Sequence, residues 1–320
     1  MNKVFGLIFF ISMLMNAQEH RTRIINFGGM DWYVRNGIGN PANNHWSDSK
    51  QSVWVDEENR LHLKIRKIDG VWQAAEIRSV HPTTYGKHRF YVSSNVDKID
   101  KNVVAAVFIY KDDAHEMDIE FSKWKQDIHP NSQYVVQPES PENMHKFQMN
   151  LSGSYSTHII DWQKDSIAYK SIYGHYANAP DSHFLIDKWT YKQKQLLDDK
   201  QYRIHINLWM VNNTPPSDNK EVELILSSID TPISAIEISG KINQKISYYA
   251  NHFYDNIFVY CHQNSGVKYC LKDETGSIVL QDTIEHNYFF VNLIDLAIGK
   301  YQLQIESASE KFEYLITKRY

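Results

Sequence analysis

The chain has 320 residues, with 34 Lys and Arg against 38 Asp and Glu and a formal net charge of −4. That near balance argues against a basic nucleic-acid-binding surface and leaves no acidic tail of the kind that stays disordered. Length allows one large domain and a small one. Eight Trp and twenty Tyr provide many flat faces on which sugar rings can pack, although aromatics in such numbers also build ordinary β cores.

Lys3 and the apolar run Val4 to Met15 read as a signal peptide over residues 1–17, with Ala17 before the cut and Met15 in place of the usual small residue two positions earlier. The protein is therefore expected to be secreted or held at the cell surface. The run is shorter than the ~20 apolar residues of a membrane span, and no other stretch is apolar enough to be a transmembrane segment.

Downstream, period-two alternation dominates. Ser52 to Val55 and Leu61 to Ile65 alternate across Glu57-Glu58-Asn59. Phe90-Tyr91-Val92 follows Tyr85-Gly86. Val103 to Tyr110 is almost continuously apolar, as in a strand covered on both faces. Thr157 to Trp162 and Ser166 to Tyr169 form a further pair, and Ile204 to Trp209 alternates again. The one candidate helix is Lys192 to Gln201. Glu221 to Leu226 is the expected closing strand, and Thr231-Pro232 the expected boundary. Short strands resume near Ile236, separated by turns at Thr275-Gly276 and Ile298-Gly299. The pattern predicts an all-β protein: a sandwich or jelly roll over 18–235 and a small β-sandwich over 236–320. Cys261 and Cys270 flank a turn signal at Asn264-Ser265-Gly266, where a hairpin would set them face to face for a disulfide; two free thiols are the alternative.

The run with the most chemistry in it is His115-Glu116-Met117-Asp118-Ile119-Glu120-Phe121. In a strand, Glu116, Asp118 and Glu120 share one face, while Met117, Ile119 and Phe121 enter a core on the other. Carboxylates so close raise one another's pKa, so that one holds a proton near neutrality beside an ionised neighbour. Glycosidic bond cleavage uses such a pair. A strand with one wet face, or an oxygen-ligated calcium site, would show the same spacing.

The chain from about residue 24 to 232 resembles glycoside hydrolase family sixteen, whose fold is a concanavalin-like β-sandwich jelly roll. The resemblance rests on Glu116-Met117-Asp118-Ile119-Glu120-Phe121 and on further ordered segments. These are Val53-Trp54-Val55 with Leu61-His62-Leu63, Glu76-Ile77-Arg78-Ser79, Tyr85-Gly86, His158 to Trp162 followed by Ser166-Ile167, and Asn207-Leu208-Trp209. It implies a retaining endo-glycosidase with Glu116 as nucleophile, Glu120 as general acid/base and Asp118 as the carboxylate that tunes both. It also implies that Glu76, Arg78, Asn207 and Trp209 face the sugar. Trp124, Tyr134 and Gln137, just beyond the motif strand, are expected in the same cleft. His115, where the family often has an acid, is a candidate for shifting the pH optimum.

Lys87-His88-Arg89-Phe90 lacks the family's usual acid after Tyr-Gly, which bears on subsites rather than chemistry. A single residue between Asp118 and Glu120 resembles the lichenase and xyloglucan-active members, and tilts the expected substrate toward β-1,3-1,4-glucan, with β-1,3-glucan, xyloglucan, agar and carrageenan as other candidates. No cofactor is expected for catalysis; relatives often hold a structural calcium near the N-terminal strand. The last segment, with Leu271 to Gly276, Val291-Asn292-Leu293, Gly299 to Leu303 and Lys318-Arg319, resembles a type IX secretion sorting domain, which implies the secretion machinery as a partner. A sugar-binding accessory module is the rival reading. The whole is expected to act as a monomer on a polysaccharide; a lectin on the same fold and a transglycosylase are the alternatives.

Overall fold

The structure, a computed structural model, describes residues 20–127, 130–192, 201–232, 236–240, 246–251, 256–261, 266–307 and 310–318. The segment expected to be a signal peptide, 1–17, lies outside them, as does the candidate helix Lys192 to Gln201 apart from its two end residues. The chain forms strands β1 (His20–Phe27), β2 (Met30–Gly39), β3 (Asn44–Trp46), β4 (Val53–Val55), β5 (Leu61–Ile68), β6 (Val71–Gln73), β7 (Ala75–Ser79) and β8 (Gly86–Val92). Then follow β9 (Val103–Asp112), β10 (His115–Phe121), β11 (Ser132–Val136), β12 (Met144–Phe147), β13 (Ser156–Trp162), β14 (Ser166–Tyr173), β15 (Leu185–Lys192), β16 (Arg203–Met210) and β17 (Val222–Asp230). The remainder are β18 (Ile236–Gly240), β19 (Ile246–Asn251), β20 (Asn256–Cys261), β21 (Val267–Lys272), β22 (Ile278–Ile284), β23 (Tyr288–Asn292), β24 (Gly299–Glu306) and β25 (Lys311–Lys318).

Two antiparallel sheets make the large jelly roll. One runs β1-β2-β7-β16-β9-β10-β11-β12, with β3 beside β2; the other runs β15-β14-β13-β8-β17-β5-β4, with β6 beside β5. Consecutive strands are neighbours in much of each sheet, but some neighbours lie far apart in the sequence, as β16 does between β7 and β9. The expected closing strand is β17, which fills the gap between β8 and β5.

Alternation explains how the sheets pack. Met117, Ile119 and Phe121 of β10 are buried in one cluster with Val103, Ala105, Val107 and Ile109 of β9 and with Ile160, Trp162 and Tyr169 of the facing sheet. Each Val, Ile, Met or Phe side chain among them, fully withdrawn from water, contributes roughly 1.5–3 kcal/mol before the entropy of ordering it. Hydrophobic burial on this face of β10 turns its three carboxylates outward. Gly86, entering β8 at φ 131°, is required twice over: that conformation suits glycine, and an added Cβ would meet Pro232 Cγ at 2.6 Å.

From β18 onward a five-stranded sheet, β18-β25-β24-β21-β22, and a three-stranded sheet, β19-β20-β23, enclose a second core that includes Ile257, Val259, Leu271, Val291, Leu303 and Ile316. Of the two readings left open for the cysteines, the structure has the free thiols. Cys261 ends β20 in the three-stranded sheet and Cys270 lies in β21 of the five-stranded sheet; both are free thiols. A turn signal between two strands implies a hairpin only when the strands share a sheet, and here the chain changes sheets between them.

Candidate active site

The register of the large sheet sets the site. On β10, Glu116 sits opposite Tyr110 of β9, Asp118 opposite Phe108 and Glu120 opposite Ala106. Pairing stays regular from Glu116 to Phe121, with the only shift between His115 and Glu116, so the three acids keep one face. The rows continue across the sheet: Tyr110 to Arg203, Phe108 to His205 and Ala106 to Asn207 on β16. His205 then pairs with Arg78 and Asn207 with Glu76 on β7. All these side chains line one open cleft of about 650 Å³, together with Arg35, Lys111, Asp113, Trp124, Gln137, Glu139 and Trp209.

Burial and mutual repulsion shape the acids. Glu116 is pushed up to about 7, first by withdrawal from water and then by the charges on Asp113 and Glu76, while a hydrogen bond with Asp118 opposes the shift. Glu120 is likewise pushed up to about 7 by burial and by the charges on Glu116 and Glu139, against the lowering effect of Gln133. Gln133 Nε2 donates to Glu120 Oε2 at 2.7 Å. Asp118, 4 % exposed between them, is raised well above the ordinary carboxylate range by burial and by both glutamate charges. Three adjoining carboxyls in this setting share fewer than three negative charges near neutrality.

Glu76 is held from two sides, by Arg35 Nη1 at 2.6 Å from Oε2 and by His205 Nδ1 at 2.9 Å from Oε1. Arg35 is stacked 4.1 Å over the Trp46 ring, and Arg78 5.5 Å over that of Tyr33. Trp46, the ring beneath Arg35, shares one apolar cluster with Trp209, which meets Trp124 edge to face with centroids 5.9 Å apart. Trp124 has φ 50°, and its N–H is held by Ser122 Oγ at 2.9 Å, so a left-handed turn presents the indole to the cleft.

Of the residues singled out from the sequence, Glu76, Arg78, Glu116, Asp118, Glu120, Trp124, Gln137, Asn207 and Trp209 come together in this cleft. Tyr134 does not, and its expected role is corrected. It pairs with Ile119, shares that residue's core face and is fully buried, its hydroxyl donating to Ser171 Oγ at 2.8 Å. A shift of one residue along a strand changes the face; the neighbour Gln133, opposite Glu120, is the residue that reaches the site. His115 is also absent from the cleft lining, and its Nδ1 lies 2.6 Å from Asp112 Oδ1. Arg35, His205 and Gln133 escaped the sequence reading. Counting alternate positions back from the motif's partner strand would have found Gln133; nothing local marks Arg35, which lies 41 positions from the carboxylate it holds.

Among the described residues no group of three or more His, Cys, Asp or Glu is arranged to hold a metal ion. The cleft can supply a carboxylate to attack an electrophilic carbon, a carboxylic acid to protonate a leaving oxygen, and polar and aromatic groups to orient a polyhydroxy chain.

No family model and no curated protein matches this chain. Among solved structures it is similar to a β-1,3-glucanase from Mycobacterium marinum at 16% identity, covering 63% of this chain and 90% of that one, with a TM-score of 0.48. It is similar to a β-glucanase from Bacillus licheniformis at 19% identity, covering 64% and 92%, with a TM-score of 0.47. A β-1,3-1,4-glucanase (lichenase) derived from a mouse hindgut metagenome is similar at 15% identity, covering 64% and 94%, with a TM-score of 0.45.

Proposed function

We propose that the protein is a retaining endo-glycosidase acting on a β-linked polysaccharide, with β-1,3-1,4- and β-1,3-glucan as the first substrates to test. The observation that carries this reading is a single strand projecting Glu116, Asp118 and Glu120 into one open cleft, with both glutamates raised to about 7. A carboxyl that titrates near neutrality serves equally as proton donor and acceptor.

In the proposed first step ionised Glu116 attacks the anomeric carbon. The bond from that carbon to the bridging oxygen breaks, and Glu120 gives its proton to the departing oxygen. In the second, Glu120 takes a proton from water as the water oxygen attacks the same carbon, and Glu116 leaves as a carboxylate. Asp118, buried between the two, moderates how their charges interact. Gln133 fixes the Glu120 carboxyl through its 2.7 Å hydrogen bond. Trp124, half-buried and backed by the buried Trp209, supplies apolar surface for sugar C–H groups.

The protein is proposed to act outside the cell, on the strength of Lys3 and the apolar leader Val4 to Met15. The small C-terminal sandwich then serves as a sorting or accessory module.

The test is reducing-end release from mixed-linkage β-glucan and laminarin by wild type and by Glu116→Ala, with the first-formed anomer read by NMR. Retained configuration and loss of turnover in the variant support the proposal. Inverted configuration, or turnover undiminished in Glu116→Ala, overturns it.

A further inference from the structure

The two sheets of the small C-terminal sandwich have unlike outer faces. Leu271, Leu303 and Ile305 turn one side of β21 and β24 into the core. The alternate residues Lys268, Lys272, Gln302, Gln304 and Glu306 lie on the other side, in the polar face a sheet ordinarily shows to water. The three-stranded sheet differs. Ile257 and Val259 of β20 and Phe289 and Val291 of β23 enter the same core. The residues between them therefore face out, in three cross-strand pairs: Asn256 with Asn292, Phe258 with Phe290 and Tyr260 with Tyr288.

Tyr288 and Phe290 are 48% and 50% exposed, and Phe258 is half-buried beside them. The Phe258 ring lies 6.1 Å from Tyr288, with planes 22° apart, and 5.3 Å from Phe290. His286 extends the row, stacked 6.1 Å from Tyr288. None of these residues lines the catalytic cleft. An aromatic cluster left in water, on a domain whose other sheet is polar outside, marks a binding surface.

Its chemistry selects the occupant. The six paired side chains are four rings and two carboxamides, with no aliphatic group among them. Six residues fall well short of the roughly 20–30 a side of a stable protein interface. Neither β20, β23 nor the turn at 285–287 contains Lys or Arg, so the face has no cation to hold an anionic membrane. A sugar chain fits both parts: its C–H faces pack on rings, and its hydroxyls bond to carboxamides and phenols.

We infer that Phe258, Tyr288 and Phe290 form a second polysaccharide-binding site, separate from the cleft, which holds a neutral β-linked glucan against the protein. The ligand class rests on the glycosidase reading above; the placement of the site does not. No bond is made or broken there. Anchoring raises the concentration of chain near the cleft, an effect felt on polymers and particles but not on short soluble fragments.

The experiment measures adsorption apart from turnover. Full-length Glu116→Ala protein is sedimented with two insoluble glucans, curdlan and microcrystalline cellulose, and the unbound fraction is read. Adsorption to one or both is expected, weakened at least about tenfold by adding Tyr288→Ala and Phe290→Ala. Tyr288→Phe with Phe290→Tyr keeps the rings and should keep adsorption, which separates loss of the platform from a folding defect. In protein with Glu116 intact, the two alanines should leave hydrolysis of soluble oligosaccharides unchanged. No adsorption to either glucan, adsorption unaffected by the two alanines, or a wild-type dimer that the two alanines dissociate each overturns the inference. Hydrolysis of soluble glucan by wild type tests the glycosidase reading by itself. Ring-dependent adsorption without any turnover refutes that reading and leaves this site standing; turnover without adsorption does the reverse.

Discussion

Replacing Glu120 by Gln gives the most direct physical test of the acidic cluster, because the geometry is preserved while a buried charge is removed. Gln133 Nε2 donates to Glu120 Oε2 at 2.7 Å, and a carboxamide oxygen accepts the same bond. The carboxyl is shifted from 4.5 to about 7, with burial as the first cause and the Glu116 and Glu139 charges next. A group with a raised folded-state pKa binds protons more tightly when folded, so folding stability declines as pH rises from the unfolded value through the folded one. Linkage between 4.5 and about 7 gives a penalty of roughly 1 kcal/mol at about pH 5 and roughly 3 kcal/mol at about pH 8. Glu120→Gln should therefore stabilise the protein by about 2–3 kcal/mol more at the higher pH than at the lower. For a domain of this size the difference corresponds to a relative rise in Tm of about 5–10 °C. Denaturant unfolding of both proteins across about pH 5–8 measures it. A stability difference independent of pH, or one that shrinks as pH rises, would show that Glu120 carries its charge without strain and would refute the argument.

Other consequences concern the same cleft. With Glu116 and Glu120 both raised to about 7, kcat/KM should trace a narrow bell near neutrality, falling at low pH as Glu116 takes up a proton and at high pH as Glu120 loses one; a broad plateau from about pH 5 to 9 would contradict this. Gln133→Leu removes a donor that favours ionised Glu120, so the alkaline limb should move upward in pH while the acid limb moves less. Arg35→Ala removes a 2.6 Å partner from Glu76, whose side chain is 3 % exposed, and should lower unfolding free energy by about 3 kcal/mol, measured by urea titration. Cys261 and Cys270 lie free in different sheets, so thermal unfolding should be the same with and without reductant.

Some of this was legible locally. The split of β10 into a carboxylate face and an apolar face follows from strand geometry alone, as do the β4–β5 and β13–β14 hairpins, whose alternation and turns sit side by side in the chain. Other parts were not. Tyr134 and Gln133 are adjacent, and only the pairing of β11 with β10 assigns one to the core and the other to the Glu120 carboxyl. Arg35 and His205 meet Glu76 across 41 and 129 positions because β2 and β16 flank β7. The cysteines look like a hairpin pair until the chain is seen to change sheets between them.

The amino-acid sequence by itself determined which side chains can share a face, because successive Cβ atoms in an extended backbone alternate by covalent geometry. Which faces meet was decided by the tertiary structure alone. Strand order and register arise from packing two whole sheets around one core, and that information is spread over contacts between residues far apart in the chain.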